Sequence, residues 1–219
     1  MPADAKEAML KISEIFHSLQ GESSRVGLPT VFVRLTGCPL RCTWCDTEYA
    51  FSGGSNMSVA EVLTHVAQYA CHAVCVTGGE PLAQRGCLEL MKELCDAGHS
   101  VSLETSGALD LAGIDRRVAK IMDLKAPASG ESEKNRWENL AQLTPNDEIK
   151  FVLASEADYD WAKSVLQERK LDALCQVLFS PVVGHLDAAQ LAGWILRDRL
   201  PVRFQLQLHK VLWGAVRGK

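Results

Sequence analysis

Three cysteines, Cys38, Cys42 and Cys45, stand in a CxxxCxxC pattern directly after the apolar run Val31-Phe32-Val33-Arg34-Leu35. No other stretch limits this chain as tightly, because clustered thiolates are soft ligands that favour iron–sulfur clusters, zinc or copper(I). A four-iron cluster or a structural zinc ordinarily takes four protein ligands. With only three close together, one cluster iron would stay open to a small molecule. The competing possibility is a structural zinc with Asp46 or a remote residue as fourth ligand. No second CxxC or CxxH follows at zinc spacing to support it.

Strand-like and helix-like stretches alternate along the remaining chain, without internal repeats or a low-complexity linker. Lys11–Phe16 alternates as a leading strand, and Val31–Leu35 feeds the cysteine loop. Ser58-Val59-Ala60-Glu61 forms a capping box that opens a helix, and Gly98 stops a helix over Cys87–Ala97. Further strands are expected at Ala73–Thr77, Val101–Glu104, Ala119–Asp123, Ile149–Leu153, Gln176–Phe179 and Val202–Leu208. Helices are expected at about Glu156–Arg169 and Asp187–Arg199. This alternation points to a parallel β/α architecture. The chemically distinctive residues fall at or just past strand ends: Cys38–Thr47, Thr77–Pro81, Glu104–Gly107, Asp123–Lys125, Ser155, Ser180 and His209. In β/α barrels that edge carries the active site. The expected fold is therefore α/β, a partial, open β/α barrel formed by residues 1–219 as one domain.

Composition bears on partners and compartment. A formal net charge of −4 and scattered basic residues argue against direct nucleic-acid binding. No apolar run approaches the ~20 residues of a membrane span, and Met1–Glu7 shows no signal-peptide pattern. A cytoplasmic location is the expectation, where clustered cysteines read as metal or redox sites. The other five cysteines lie in or beside predicted strands and helices and read as small core hydrophobes. Trp137, Trp161 and Trp194 read as core or interface anchors.

Thr77-Gly78-Gly79-Glu80-Pro81 ends the second core strand. Its glycines would let backbone approach a ligand, and Glu80 could accept hydrogen bonds from an ammonium group. Pro81 equally suits a helix start. Together with the cysteine loop this segment resembles the radical S-adenosylmethionine (SAM) enzymes. In them a 4Fe-4S cluster binds SAM at its open iron, and reduction releases a 5′-deoxyadenosyl radical. Further pieces narrow the likeness: Leu19-Gln20-Gly21-Glu22 before the core, Arg34 in an apolar strand, Cys45-Asp46-Thr47, Glu104-Thr105-Ser106-Gly107, Asp123-Leu124-Lys125 and Leu208-His209-Lys210. The combination resembles the 7-carboxy-7-deazaguanine synthases over nearly the whole chain. Ser23 and Ser106 depart from that pattern, bearing on substrate fit rather than reaction class.

That resemblance implies ring contraction of 6-carboxy-5,6,7,8-tetrahydropterin with loss of ammonia, in queuosine biosynthesis. It implies a 4Fe-4S cluster on Cys38, Cys42 and Cys45, with SAM as a regenerated cofactor. Trp44, Cys45, Asp46, Gly79, Glu80, Gly107, Lys125, Ser155 and Ser180 would surround SAM. Leu19, Gln20, Gly21, Glu22, Arg34, Thr105 and His209 would contact substrate, and Thr47 would ligate Mg²⁺. The implied partners are a reductant such as flavodoxin and a second copy in a homodimer. Read from the residues alone, Arg34 could instead pair structurally with Glu14 or Glu22. A glycyl-radical activating enzyme would share the cysteine loop and Gly-Gly-Glu-Pro, but has no need of Gln20-Gly21-Glu22 with Arg34.

Overall fold

The structure, a computed structural model, describes residues 8–214 and 216–219. Met1–Glu7, read above for a signal-peptide pattern, lies outside them. In chain order the elements are β1 (Met9–Leu19), β2 (Pro29–Leu35), β3 (Ser55–Ser58), α1 (Val59–Ala67), β4 (Ala73–Gly78), α2 (Gly86–Asp96) and β5 (Ser100–Thr105). Then come β6 (Ala119–Asp123), β7 (Glu148–Leu153), α3 (Glu156–Glu168), β8 (Gln176–Pro181), α4 (Ala188–Asp198), β9 (Arg203–Phe204) and α5 (Leu208–Trp213). Short 3₁₀ turns fill much of the β6–β7 connection in place of a crossover helix.

The nine strands of the described residues join one open sheet in the order β3-β1-β2-β4-β5-β6-β7-β8-β9. From β2 to β9 the neighbours are parallel. β1 runs antiparallel to both β2 and β3. The leading strand is thus longer than its alternation suggested, and it reverses direction.

Side chains alternate across each strand, and here the two faces differ sharply. Val31, Val33 and Leu35 of β2, Val74 and Val76 of β4, and Val101 and Leu103 of β5 form one apolar core with Val62, Val66, Leu90 and Leu94 of α1 and α2. Ile149 and Phe151 of β7 with Val177 and Phe179 of β8 form a second with Tyr159, Ala162, Leu191 and Ile195 of α3 and α4. Truncating a core leucine to alanine at such positions costs about 2–5 kcal/mol. The opposite face carries Arg34, Thr77, Glu104, Asp123 and Lys150, which line a cavity. One face of the sheet holds the fold and the other holds charge.

The helix signals act as expected. Ser58 Oγ accepts the Glu61 N–H while the Glu61 carboxylate accepts the Ser58 N–H. Gly98, at φ +88°, closes α2 with bonds from its own N–H to the Cys95 carbonyl and from the His99 N–H to the Leu94 carbonyl. Trp194 is buried in the core, and Trp137 and Trp161 pack against it. No helix among the described residues is long and apolar enough to cross a membrane.

The expected last strand needs correcting. Only Arg203 and Phe204 pair with β8, opposite Leu178 and Phe179, and the chain turns into α5 at Leu208. The alternation of Gln205-Leu206-Gln207 is real, but its buried members are the glutamines. They face the loop after β1 instead of an apolar core. His209 accordingly sits in α5 and not on a strand.

Candidate active site

The cysteine loop leaves β2 at its C-terminal end and is pinned from several sides. Gly37 donates its N–H to the Ala50 carbonyl and accepts the Glu80 N–H at 2.7 Å. Thr43 bonds the Ser129 and Ala128 carbonyls through its N–H and hydroxyl. Arg41 reaches back to the Cys38 and Leu40 carbonyls and lies over the Phe51 ring at 4.2 Å. Gly79 closes against this loop: a Cβ there would meet the Gly37 oxygen at 2.3 Å and Cys38 Cβ at 2.7 Å. The Gly-Gly pair thus serves backbone-to-backbone contact between the β2 and β4 loops.

Cys38, Cys42 and Cys45 are half-buried and open into one cavity of about 180 Å³. Burial pushes all three thiols up, Cys42 to about 11. Ligation must therefore displace their protons, since the thiolate is the metal-binding form. Trp44, Asp46, Thr47, Gly79, Thr105 and Lys125 share the walls. Among the described residues no three or more His, Cys, Asp or Glu side chains could hold a single metal ion. A four-iron cluster asks for something different, one thiolate on each of three separate irons. The donor set suits that group, and the cavity supplies room beside it.

A second cleft of about 490 Å³ adjoins the first. The two share Glu22, Arg34, Asp46, Thr47, Thr77, Glu104 and Lys210. Leu19, Gln20, Gly21 and His209 line the outer one. These arrive by a route the strand pattern does not announce. Leu19 pairs with Pro29, the first residue of β2, so the Gln-Gly-Glu turn starts at the opposite edge from the cysteines. From there it tucks along the polar face. Ser24 bonds Glu148 and Arg25 bonds Ser100, the first residues of β7 and β5. The C-terminal segment clamps it. Gln205 exchanges two bonds with the Ser23 backbone, Gln207 Nε2 donates to Glu22 at 2.7 Å, and the Leu208 N–H donates to the Gly21 carbonyl. Ser23 sits at φ +67°, a conformation that glycine adopts most freely.

Buried charges between the clefts are largely matched. Lys150 bonds Glu22 and lies 3.6 Å from Asp123, which in turn holds Lys125 at 2.9 Å. Burial opposes charge on both members of the first pair, yet each keeps the other ionised, with Glu22 lowered and Lys150 raised. Burial also works against Asp46, but Lys210 at 2.8 Å holds its carboxyl far below the usual range. Among the described residues Glu104 forms no direct ion pair: it accepts from Gln20 and Thr77 at 3.2 and 3.3 Å. Burial and nearby Glu22 raise it. His209 is lowered by burial.

The remaining expected contacts sit less directly. Glu80 is fully buried, and its carboxylate takes Thr105 Oγ1, the Ser106 N–H and the Leu82 N–H. It braces the β4 and β5 loops from inside the wall rather than facing the cavity. Ser155 caps α3 by accepting the Asp158 N–H. Gly107, at φ +72°, backs onto Met122. Ser180 shares the polar face by parity, and its buried hydroxyl has no partner among the described residues. Lys150 and Gln207 line the site without having been singled out, and Thr77, Glu104 and Lys210, which belong to motifs quoted above, line it without having been given a role. Lys150 within Ile149-Lys150-Phe151-Val152-Leu153 carries the same signal as Arg34, a charge inside an apolar strand.

Gly21 provides a direct test of the clamp. A Cβ there would meet His209 Nδ1 at 2.1 Å. Gly21→Ala should displace the imidazole and raise the apparent KM about tenfold, since ~1 Å misplacements cost up to 10²-fold. Steady-state kinetics beside a thermal melt would show this. Unchanged kinetics would mean that His209 can swing aside without consequence.

The comparisons with known proteins agree with this geometry. Residues 32–170 match the model of the Radical SAM superfamily. The 7-carboxy-7-deazaguanine synthase of Chlorobaculum tepidum is 50% identical over 95% of this chain and 96% of its own. That of Koribacter versatilis is 45% identical over 93% and 97%. The crystal structure of QueE from Escherichia coli superposes with a TM-score of 0.76 at 22% identity, covering 92% of this chain and 95% of that one, which bears on fold alone. A radical SAM domain match, curated relatives of equal length and a three-thiol loop opening on a polar cleft lead to one conclusion: this chain is a radical SAM enzyme of the 7-carboxy-7-deazaguanine synthase family.

Proposed function

We propose that this enzyme converts 6-carboxy-5,6,7,8-tetrahydropterin to 7-carboxy-7-deazaguanine with loss of ammonia, a carbon–nitrogen lyase reaction of queuosine biosynthesis. The observation that carries the reading is the continuity of the two clefts. A three-thiol pocket opens onto a space walled by Arg34, Glu22, Thr77 and Glu104, which suits a small, flat, polar ring bearing a carboxylate.

Cys38, Cys42 and Cys45 would hold the 4Fe-4S cluster, with SAM beside Trp44, Asp46, Gly79 and Lys125. When bound, these groups supply reversible hydrogen-atom abstraction. The chain's own residues hold and orient the substrate. Arg34 offers a planar fork for the carboxylate. Gln20, Glu22, Thr77 and Glu104 supply donors and acceptors for the ring edges. Thr105 borders the inner cavity, but its hydroxyl is engaged with Glu80, so its part is support. The loop clamped by Gln205 and Gln207 closes the floor against water. Ser180, on the same face, offers an uncommitted hydroxyl, whereas Gly107 and Ser155 act through loop and helix geometry. The family likeness also supports a flavodoxin-type reductant and a homodimer as partners.

Thr47 is the proposed Mg²⁺ contact. It lines both clefts and donates to Asp46 at 2.9 Å. A neutral hydroxyl alone is a poor ligand, and Mg²⁺ wants anionic oxygens and waters. The substrate carboxylate would supply the charge, so the ion should bind well only with substrate present. Thr47→Ala is expected to keep iron and SAM binding but lose most of the magnesium stimulation. An undiminished magnesium response would remove Thr47 from the site.

The deciding experiment is anaerobic reconstitution with iron and sulfide, then assay with SAM, reductant and the carboxypterin. Product in large excess over 5′-deoxyadenosine is expected. A filled cluster with no product would overturn the reading, and one SAM consumed per turnover would favour an activase-like use of the radical.

A further inference from the structure

β1 places Ile12, Glu14 and Phe16 at every second position, a spacing that puts all three on one face of a regular strand. The structure separates them. Ile12 pairs with Leu35, Glu14 with Arg34 and Phe16 with Phe32, with a register shift between Ile12 and Glu14. Ser13 is the extra residue of a β-bulge, a device that re-aims side chains beside active sites. Ile12 stays with Leu35 in the apolar core on the helix side. Glu14 and Phe16 cross to the polar face, next to Arg34.

There they build a mount. Glu14 Oε1 accepts Arg34 Nε at 2.7 Å and Tyr49 Oη at 2.8 Å. The Phe16 and Tyr49 rings each lie 5.9 Å from the guanidinium carbon, and Phe16 stacks on Phe32 at 4.9 Å. Arg34 lines both clefts, while Glu14 lines neither. Among the described residues no acceptor takes the Nη hydrogens of Arg34. The edge left free is the two-nitrogen edge, the fork that matches a carboxylate.

We propose that Glu14 and Tyr49 are positioning residues that grip Arg34 by its Nε edge and turn the Nη edge to the cleft for the substrate carboxylate. The proposal rests on the reading of Arg34 given above. Its physical need lies across the cleft. Glu22 and Glu104 share the walls with Arg34, and an unbraced arginine would be drawn to them and lost to the ligand. Burial opposes the charge on Arg34, but Tyr49 and Glu14 offset it and leave the guanidinium raised above its ordinary value. Burial and Glu14 also push the Tyr49 phenol up to about 12, so it remains a donor across the working pH range.

The test is equilibrium binding to reconstituted protein without reductant or magnesium, so that no turnover occurs and no metal ion at Thr47 competes for the carboxylate. Two probes are compared anaerobically, 6-carboxytetrahydropterin and tetrahydropterin lacking the carboxylate. Wild type should prefer the carboxylated probe, and Arg34→Ala should erase the preference. Glu14→Ala should cut the preference about tenfold, the scale of a hydrogen bond to a charged group. Glu14→Gln, which keeps an acceptor, and Tyr49→Phe should each cut it about threefold. Affinity for the uncarboxylated probe should stay unchanged throughout. An intact preference in Arg34→Ala would overturn the reading of Arg34 itself. Loss in Arg34→Ala with none in the Glu14 and Tyr49 variants would overturn the mount alone. Equal weakening of both probes with a lowered melting temperature would make Glu14 a structural residue only. Should Glu14→Ala not fold, Glu14→Gln and Tyr49→Phe carry the test.

Discussion

Alanine at Cys38, Cys42 or Cys45 is expected to abolish cluster binding and all activity, while alanine at each of the other five cysteines leaves iron content intact. The three loop thiols are the ones that open into the cavity. Cys75, Cys87, Cys95 and Cys175 are buried in strands and helices or beside them, and burial pushes the thiols of Cys75, Cys87 and Cys175 well up. Cys71 donates to the Pro29 carbonyl at 3.2 Å, at the start of β2 and away from the cysteine loop at its end. Removing one buried sulfur should cost about 1 kcal/mol through lost packing, too little to unfold the chain. Iron content and visible charge-transfer absorption after reconstitution read the result. Loss of the cluster on changing Cys71, Cys75 or Cys175, in protein that still folds, would overturn the assignment.

Much of the fold is legible because local chemistry and tertiary structure agree. Apolar runs bounded by capping and stop signals lie where strands and helices form, and the chemistry-bearing residues mark the strand ends. What the linear pattern hides are effects of direction and register. Lys11–Phe16 reads as a strand whichever way it runs. Its antiparallel course, which brings Gln20–Glu22 into the cavity from the opposite edge, depends on pairing Leu19 with Pro29. The bulge at Ser13 is likewise invisible in sequence, since period-two spacing places Glu14 with Ile12.

The C-terminal segment misleads for a related reason. Alternation in Val202–Leu208 implies a half-buried strand only if the apolar members face inward, and here Gln205 and Gln207 do. They are buried because the Gln20–Ser24 loop offers partners for both side-chain polar atoms of Gln205 and for Gln207 Nε2, and burial of a polar group depends on such partners. Arg34 shows the limit from the other side. Its two readings, a structural pair with Glu14 and a contact for a substrate carboxylate, are compatible, because Glu14 takes the Nε edge and leaves the Nη edge free.

Lys150→Met should produce the largest loss of stability of any single change in the polar face. Lys150 bonds Glu22 and faces Asp123, with side-chain exposure near one-tenth for each member. Removing one partner of a buried pair leaves an uncompensated charge and costs about 3–5 kcal/mol. The pH dependence separates this from lost packing. In the wild type burial raises Glu22, but Lys150 outweighs it and the folded pKa lies below the ordinary value of 4.5. That contribution is present above the unfolded carboxylate pKa and is lost as pH falls through the lowered folded one. Lys150 itself is raised well above 10.5 despite its burial, so its contribution is full at neutral pH and lost only in strong alkali. Without Lys150, burial and mutual repulsion push Glu22 and Glu104 up instead. Their folded forms then hold protons more tightly than the unfolded chain, and stability falls as pH rises. The gap between wild type and variant should therefore be widest near neutrality and narrow towards pH 5. Urea unfolding at several pH values measures it directly. A gap that stays constant with pH would show that Lys150 stabilises through packing of its stem, and the charge network would lose its place in the argument.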